Sequence, residues 1–222
     1  MNEPALIPVI AIDGPTASGK GTVAQKVANR LGFHYLDSGS LYRLTAVAAT
    51  RAGIDLANEA AVAQLAGALN ARFGDDKVWL EGEDVTDAIR TEAASQDASR
   101  VATHARVRQA LLQRQRNFRT APGLVCDGRD MGSVVFPDAT IKFFLTASVE
   151  ARAERRTKQL KQKGMSAIMA DVVKELRVRD DRDMSRPVAP LKHFSDAYLI
   201  DTTDISADEA VEKILGLYAD RR

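Results

Sequence analysis

Cysteine is almost absent from this chain. The single one, Cys126, excludes an internal disulfide and any zinc site built on thiolates, and its place in the run LVCD predicts a small buried side chain. No run of about 18 apolar residues occurs, so no segment is long enough to cross a bilayer as a helix. The stretch MNEPALIPVIAID lacks both a basic region and a cleavage site, so we expect no signal peptide and a cytoplasmic protein. An excess of one charge is lacking too: a net charge of +1 gives no whole-molecule attraction to nucleic acid. The three histidines, His34, His104 and His193, fall outside any triad-like arrangement, and structural or surface roles are expected for them.

What is present suits an ordinary globular protein. The 222 residues fit one domain, or one domain with a sizeable insertion, and 45% are hydrophobic and 27% charged. The basic residues are unevenly chosen, with arginine at 21 of 31 positions. A guanidinium fork matches two phosphate oxygens where an ammonium is a point charge, so this bias suits local capture of anions, or equally a solvated arginine surface.

Five short apolar runs read as strands, at 9–13 (VIAID), 33–37 (FHYLD), 123–127 (GLVCD), 140–145 (TIKFFL) and 197–201 (AYLID). They are continuous rather than alternating, as strands buried on both faces should be. Helical spacing lies between them: Val23, Val27 and Leu31 with Gly32 as a stop, then Val62, Leu65, Ala66 and Leu69. Near the C-terminus Ser206 and Glu209 form a capping box ahead of Val211, Ile214, Leu215 and Tyr218. Alternating strands and helices predict a three-layer α/β fold, a five-stranded parallel sheet with helices on both faces. Residues 70–90, with Gly-Asp and Glu-Gly-Glu turns, break the rhythm and read as a local hairpin inside an insertion over roughly 58–106.

The first strand runs straight into Gly14-Pro15-Thr16-Ala17-Ser18-Gly19-Lys20-Gly21-Thr22, and that into a helix. Gly14 and Gly19 let backbone approach a phosphate, the helix N-terminus offers free N–H groups, and Lys20 can reach the β- and γ-phosphates. This is a phosphate-binding P-loop. The usual hydroxyl directly after the lysine is replaced by Gly21, so Thr22 is the candidate Mg²⁺ contact, and the base-reading N-K-x-D element of GTPases is absent. Asp127, ending the third strand, is either a Mg²⁺-water partner or a strand-end cap.

Three further clusters hold charged groups. DSGSLYR runs from Asp37 to Arg43 with Ser38 as a natural N-cap, and DGRDMG runs from Asp127 to Gly132. In RVRDDRDMSRP, Arg179, Arg182, Asp183 and Arg186 fall on one face of a helix that Pro187 should end; alone, this reads as an ion-pair ladder or as a site.

Together, IDGPTASGKGT, LDSGSLYR, EGEDVTDAIR, CDGRDMGSVVFPDA and RDDRDMSRPVAPL resemble the bacterial cytidylate kinase family, in order and over essentially the whole chain. The resemblance implies a P-loop kinase core (1–57 and 107–222), a nucleoside-monophosphate-binding insertion (58–106), and a short lid at about 150–165 near Arg152, Arg155 and Arg156, a cluster that reads equally as a solvated helix face. By similarity, Gly14–Thr22 binds ATP; Arg43, Arg129 and Arg179 grip the acceptor phosphate; Ser99, Arg108 and Asp130 read cytosine; Asp183 holds the ribose. Arg186 and Ser38 are further nucleotide contacts, and Lys20, Arg129 and Arg179 carry the chemistry. The expected co-substrate is ATP with Mg²⁺, the acceptor CMP or dCMP, and the enzyme a monomer with neither nucleic-acid nor membrane partner. UMP, AMP or a small hydroxylated metabolite is the rival acceptor, and a nucleotide switch without an acceptor the rival of another class. Because a phosphate monoester already carries about −1.5 to −2 charge at pH 7, its oxygen needs no general base. Catalysis then reduces to positioning and charge cancellation.

Overall fold

The computed structural model describes residues 6–74, 77–162 and 164–221. Five strands form the main sheet: β1 (Val9–Asp13), β2 (His34–Asp37), β6 (Leu124–Gly128), β7 (Ile141–Thr146) and β8 (Tyr198–Asp201). Their order is β2-β6-β1-β7-β8, and β1–β6, β1–β7 and β7–β8 pair in parallel. The apolar runs predict all five strands: β1 starts at the expected residue and the other four one residue later. Central β1 and β6 are buried at every residue, as continuous apolar runs require. The other three depart from that expectation: β7 alternates buried and half-buried residues, and the edge strands β2 and β8 expose part of theirs.

One face of the sheet is covered by α1 (Lys20–Leu31) and α9 (Ala207–Ala219). Ile10, Ile12, Val125, Phe143 and Leu145 from the strands pack there with Val23 and Val27 of α1 and Val211, Ile214 and Tyr218 of α9. Val23 and Val27 are fully buried, which is worth about 1.5–3 kcal/mol each. Gly32, at φ 66, ends α1 in the left-handed conformation that a Cβ disfavours. The Ser206–Glu209 capping box closes the start of α9 as its sequence predicts. Beside the sheet, α7 (Val149–Gln162) and α8 (Met169–Ser185) pack through Ala153, Leu160, Val172 and Leu176, with Ala17 of the phosphate loop against them.

The chain divides into two compact units, residues 1–36 with 118–222, and residues 37–117. The second unit holds α2 (Ser38–Arg51), α3 (Glu59–Ala68), a three-stranded antiparallel sheet, α4 (Thr86–Ile89), α5 (Glu92–Val101) and α6 (Ala105–Arg116). Its sheet runs β3 (Ala71–Gly74), β4 (Lys77–Leu80) and β5 (Glu83–Asp84), in agreement with the hairpin signature. Asp75 and Asp76, where the sequence predicts a turn, lie outside the described residues, as do residues 1–5 of the N-terminal stretch. The expected insertion, 58–106, falls inside this unit, which also takes in α2 and the rest of α6. Most of the expected lid, 150–165, is α7, with Lys163 outside the described residues.

Two local expectations are corrected. Ser38 is not the N-cap of α2: Asp37 is, its carboxylate accepting from the Ser40 N–H at 3.1 Å, while Ser38 is the first helical residue. A carboxylate caps at least as well as a hydroxyl, and the strand delivers Asp37 one residue earlier. Arg186 is not on the face of α8: the helix stops at Ser185 and Arg186 is extended (φ −61, ψ 139), because Pro187 excludes the helical conformation from the residue before it.

Candidate active site

The phosphate loop leaves β1 at Gly14. A Cβ there would sit 2.0 Å from the Leu145 carbonyl oxygen, so only glycine allows the chain to pass β7 at this point. Ala17 and Gly19 are both left-handed, at φ 60 and φ 87. Three loop carbonyls are held by side chains: Pro15 by Lys20 Nζ of the loop itself at 3.1 Å, Thr16 by Arg152 Nη1 at 3.2 Å, and Ser18 by Thr202 Oγ1 at 3.0 Å. Helix α1 then presents its N-terminus, which with the loop N–H groups makes an anion cradle.

Two carboxylates stand at the ends of the adjoining strands. Asp127, the last residue but one of β6, accepts from the Tyr35 hydroxyl at 2.7 Å and lies beside Gly21, where a Cβ would be 3.8 Å from its Oδ1. Asp13, ending β1, accepts from the backbone N–H of Met131 at 2.8 Å and Gly132 at 2.9 Å. Burial pushes the Asp13 carboxyl up to about 7; Asp130 adds to the rise, and the two N–H donors and Arg129 oppose it. Residues Met131–Val135 form one turn of π-type helix, with the Phe136 N–H on the Met131 carbonyl at 2.7 Å. Thr22 is exposed on α1. Among the described residues no cluster of three His, Cys, Asp or Glu could hold a metal by itself.

The residues of the first unit that the resemblance assigns to the acceptor meet the loop here. Arg129 donates from Nε to Asp183 Oδ2 at 2.7 Å and from Nη2 to Thr16 Oγ1 at 2.7 Å. Burial alone would raise the Asp183 pKa, but Arg129, then Arg179 and Arg186, hold it below the usual carboxylate range. Arg179 lies one turn before Asp183 on α8, and Arg186 Nη2 stands 3.9 Å from Asp130 Oδ1. Thus Gly14–Thr22, Asp127, Arg129, Asp130, Arg179, Asp183 and Arg186 belong to one unit of the chain.

The second unit carries its own polar group. Arg43 donates to Asp37 Oδ2 and to Ser40 Oγ at 2.7 Å, and Ser40 Oγ in turn donates to Asp37 at 2.6 Å. Burial would raise Asp37, yet Arg43 and Ser40 together keep it ionised below its ordinary range. On α5 and α6, Ser99 and Arg108 are buried; the Arg108 guanidinium lies 5.7 Å from the Tyr42 ring centroid and donates to the Ala102 carbonyl.

Several of these residues had no part in the sequence reading. Asp13 was legible only as a polar residue closing a wholly apolar strand. Asp37 and Asp180 stood in quoted motifs but carried no role, and Thr202 gave no signal at all. Arg152, in the arginine cluster near the expected lid, is buried and paired with Asp180 at 2.7 Å. Cys126 is the buried hydrophobe expected, its thiol pushed well up by burial and by Asp13 and Asp127. Each histidine pairs with a backbone carbonyl, His34 with Ala121, His104 with Leu56 and His193 with Ala197.

Residues 10–220 match the family described as cytidylate kinase. A relative named cytidylate kinase in Cupriavidus necator is 59% identical over 214 residues, covering 96% of each chain. Another of that name, from Chromobacterium violaceum, is 58% identical over 216 residues, covering 97% of each. A crystal structure of an uncharacterized protein from Eubacterium ventriosum shares the fold, with TM-score 0.54, 15% identity, and 96% and 98% of the two chains covered.

Proposed function

The chain belongs to the cytidylate kinase family, and we propose that it transfers the γ-phosphoryl group of ATP to CMP or dCMP, giving ADP and CDP or dCDP. The bond from the γ-phosphorus to the β,γ-bridging oxygen breaks, and one forms to an oxygen of the acceptor phosphate. The observation that carries this reading is the double attachment of Arg129, to Thr16 of the phosphate loop and to Asp183 of α8. A donor-phosphate loop bonded to a guanidinium that a carboxylate of α8 holds in turn gives phosphoryl transfer a fixed positive charge beside the donor phosphates.

Gly14–Thr22 holds the ATP phosphates through backbone N–H groups, and Lys20 turns from the Pro15 carbonyl to the β- and γ-oxygens. Arg43, Arg129 and Arg179 grip the acceptor phosphate, Asp183 the ribose, and Ser99, Arg108 and Asp130 the base, with Ser38 and Arg186 as further contacts. Lys20, Arg129 and Arg179 cancel the charge that spreads over the transferring group. Residues 58–106 act as the acceptor-binding insertion, and residues near 150–165 as a short lid. For Mg²⁺, the Asp127 carboxylate beside the first turn of α1 suits an oxygen-seeking ion in a water shell, and Thr22 is its second candidate. Bound there, the ion would neutralise phosphate charge. We place the enzyme in the cytoplasm as a monomer acting on small nucleotides.

The test is an acceptor screen: ADP release from ATP with CMP, dCMP, UMP, AMP and hydroxylated metabolites in turn. The expected result is a kcat/KM for CMP or dCMP at least about tenfold above the rest, one such contact being worth that much. A higher value for UMP or AMP would move the reading to the rival acceptor, and ATP hydrolysis unaffected by any acceptor would end it.

A further inference from the structure

A phosphate loop works only if its backbone N–H groups face the anion. In a planar trans peptide the C=O and the following N–H point to opposite sides. A group that grips a loop carbonyl from outside therefore aims the next residue's N–H inward. Thr202 does this for Ser18, its hydroxyl also 3.0 Å from the Thr146 carbonyl of β7 and accepting from Arg155 of α7. Arg152 does it for Thr16 from α7, and at the same time pairs with α8.

From the first turn of α7, Arg152 donates from Nη1 to the Thr16 carbonyl at 3.2 Å and from Nε to the Ala147 carbonyl at 3.1 Å. The same Nη1 is 2.7 Å from Asp180 Oδ2 on α8. Arg152 is 4% exposed and Asp180 7%, so this is a buried pair and not a solvated lid arginine. The peptide it holds leads into Ala17, whose left-handed φ of 60 costs a residue with a Cβ about 1–2 kcal/mol. Left alone, that peptide would relax and turn the Ala17 N–H away. Asp180 sits on α8 directly after Arg179 and three residues before Asp183. The Thr16–Arg152–Asp180 bridge thus parallels the Thr16–Arg129–Asp183 bridge already described, and both end on the same helix.

We propose that Arg152 is a positioning residue for phosphoryl transfer: it fixes the Thr16–Ala17 peptide with the Ala17 N–H toward the donor phosphates, and through Asp180 holds α8 in register with the loop. This rests on the kinase reading above. Arg152 touches no reacting atom in this role, and its effect reaches the chemistry through Ala17, Arg179 and Asp183. Lysine at this position keeps the charge but cannot serve carbonyls and carboxylate together.

The experiment compares Arg152→Lys, Asp180→Asn and the double variant of the full chain, with kcat expressed per folded enzyme from denaturation curves. We expect each single variant to lose about 10–100-fold in kcat, with KM for ATP and for CMP within about threefold of wild type. The double variant should fall no further than the worse single, because both changes break one bridge. A tenfold rise in KM for ATP in Arg152→Lys, with Asp180→Asn unaffected, would make Arg152 a direct phosphate ligand and overturn the proposal. A kcat per folded enzyme within twofold of wild type in both would reduce the bridge to stability alone. If Arg152→Lys does not fold, Asp180→Asn decides by the same kcat criterion. Wild-type enzyme that prefers an acceptor other than CMP would sink the functional reading, and the bridge is then judged on that acceptor.

Discussion

Arg129 and Asp183 form a nearly buried ion pair, Nε to Oδ2 at 2.7 Å, with side chains 16% and 7% exposed. Two groups proposed to hold different parts of one nucleotide are thus held by each other. The pair keeps Asp183 ionised despite burial, and Asp183 in turn raises the pKa of Arg129 against the effect of burial. Removing one partner strands the other: Asp183→Ala should cost about 2–4 kcal/mol of stability, toward the low end for a broken buried pair because Arg129 keeps Thr16 and the Gly128 carbonyl. Urea unfolding measures this, and a loss under 0.5 kcal/mol, on the order of a surface pair, would show that the contact contributes nothing. Because the folded pKa of Asp183 is depressed, its contribution is present above the ordinary carboxylate range and lost as pH falls through the folded value. Asp183→Asn should therefore soften the acid limb of the stability curve.

Asp13 has the opposite sign. Its carboxyl is pushed up to about 7, so the folded state binds a proton that the unfolded chain releases near 4. Between about pH 4 and 7 stability should fall as pH rises, by at most about 1.4 kcal/mol per unit from this group. Asp13→Asn removes the titration and leaves one N–H, of Met131 or Gly132, facing an amide. The difference between wild-type and Asp13→Asn melting temperatures should shrink or reverse from pH 5 to pH 7.5. Parallel curves would mean that the two backbone donors hold Asp13 in the ordinary range.

Lys20 bears on the chemical step. It is buried against the Pro15 carbonyl at the foot of the loop, within the cradle of N–H groups that also binds phosphate. Lys20→Met should lower kcat by about 10²–10⁴ while ATP binding falls much less, since the N–H groups remain. Calorimetric ATP titration beside steady-state kinetics separates the two. A kcat within threefold of wild type would refute the loop assignment.

Arg43 tests the acceptor side. Its Nη2 donates to both Asp37 and Ser40 at the start of α2. Arg43→Lys should raise KM for CMP tenfold or more and leave KM for ATP nearly unchanged, the order expected when a bidentate phosphate contact becomes a point charge. A larger change for ATP would reverse the assignment.

The sequence disclosed what is periodic or chemically loud. Strands β1 and β6 were legible because central parallel strands are apolar throughout, and Ser206 with Glu209 because a capping box is a local bond. The phosphate loop was legible because glycine, lysine and the flanking elements coincide. Long-range partnerships stayed hidden. Nothing local to Asp13 says that it will accept from residues 131 and 132, or local to Arg152 that Thr16 and Asp180 will surround it. Arginine spacing in VEARAERR reads equally as a wet helix face, and only tertiary packing buries the first of the three. Even the Ser38 and Arg186 errors are of this kind at short range, where a neighbour, Asp37 or Pro187, decides between two allowed local structures.

Asp130 offers the sharpest test of substrate identity. It is buried at 4% exposure, where the chain leaves β6, and its carbonyl accepts from the Val134 and Val135 N–H groups, so the turn survives loss of the side chain. Arg186 stands 3.9 Å from its Oδ1, an ion-pair distance but too long for a hydrogen bond. Cytosine presents an N4 amino donor and an N3 acceptor where uracil presents an O4 acceptor and an N3 donor. A carboxylate accepts from N4 but meets O4 as acceptor against acceptor. A mismatched buried polar contact costs about 1–3 kcal/mol, so Asp130 should supply about 10–200-fold of the preference for CMP over UMP. Asp130→Ala should then lower kcat/KM for CMP by about that factor and for UMP much less, narrowing the ratio between them. Asp130→Asn is a useful companion, since an amide that can turn its N–H₂ toward O4 should help UMP specifically. Equal losses for both substrates in Asp130→Ala would mean that Asp130 only supports Arg186, and discrimination of the base would fall to Ser99 and Arg108.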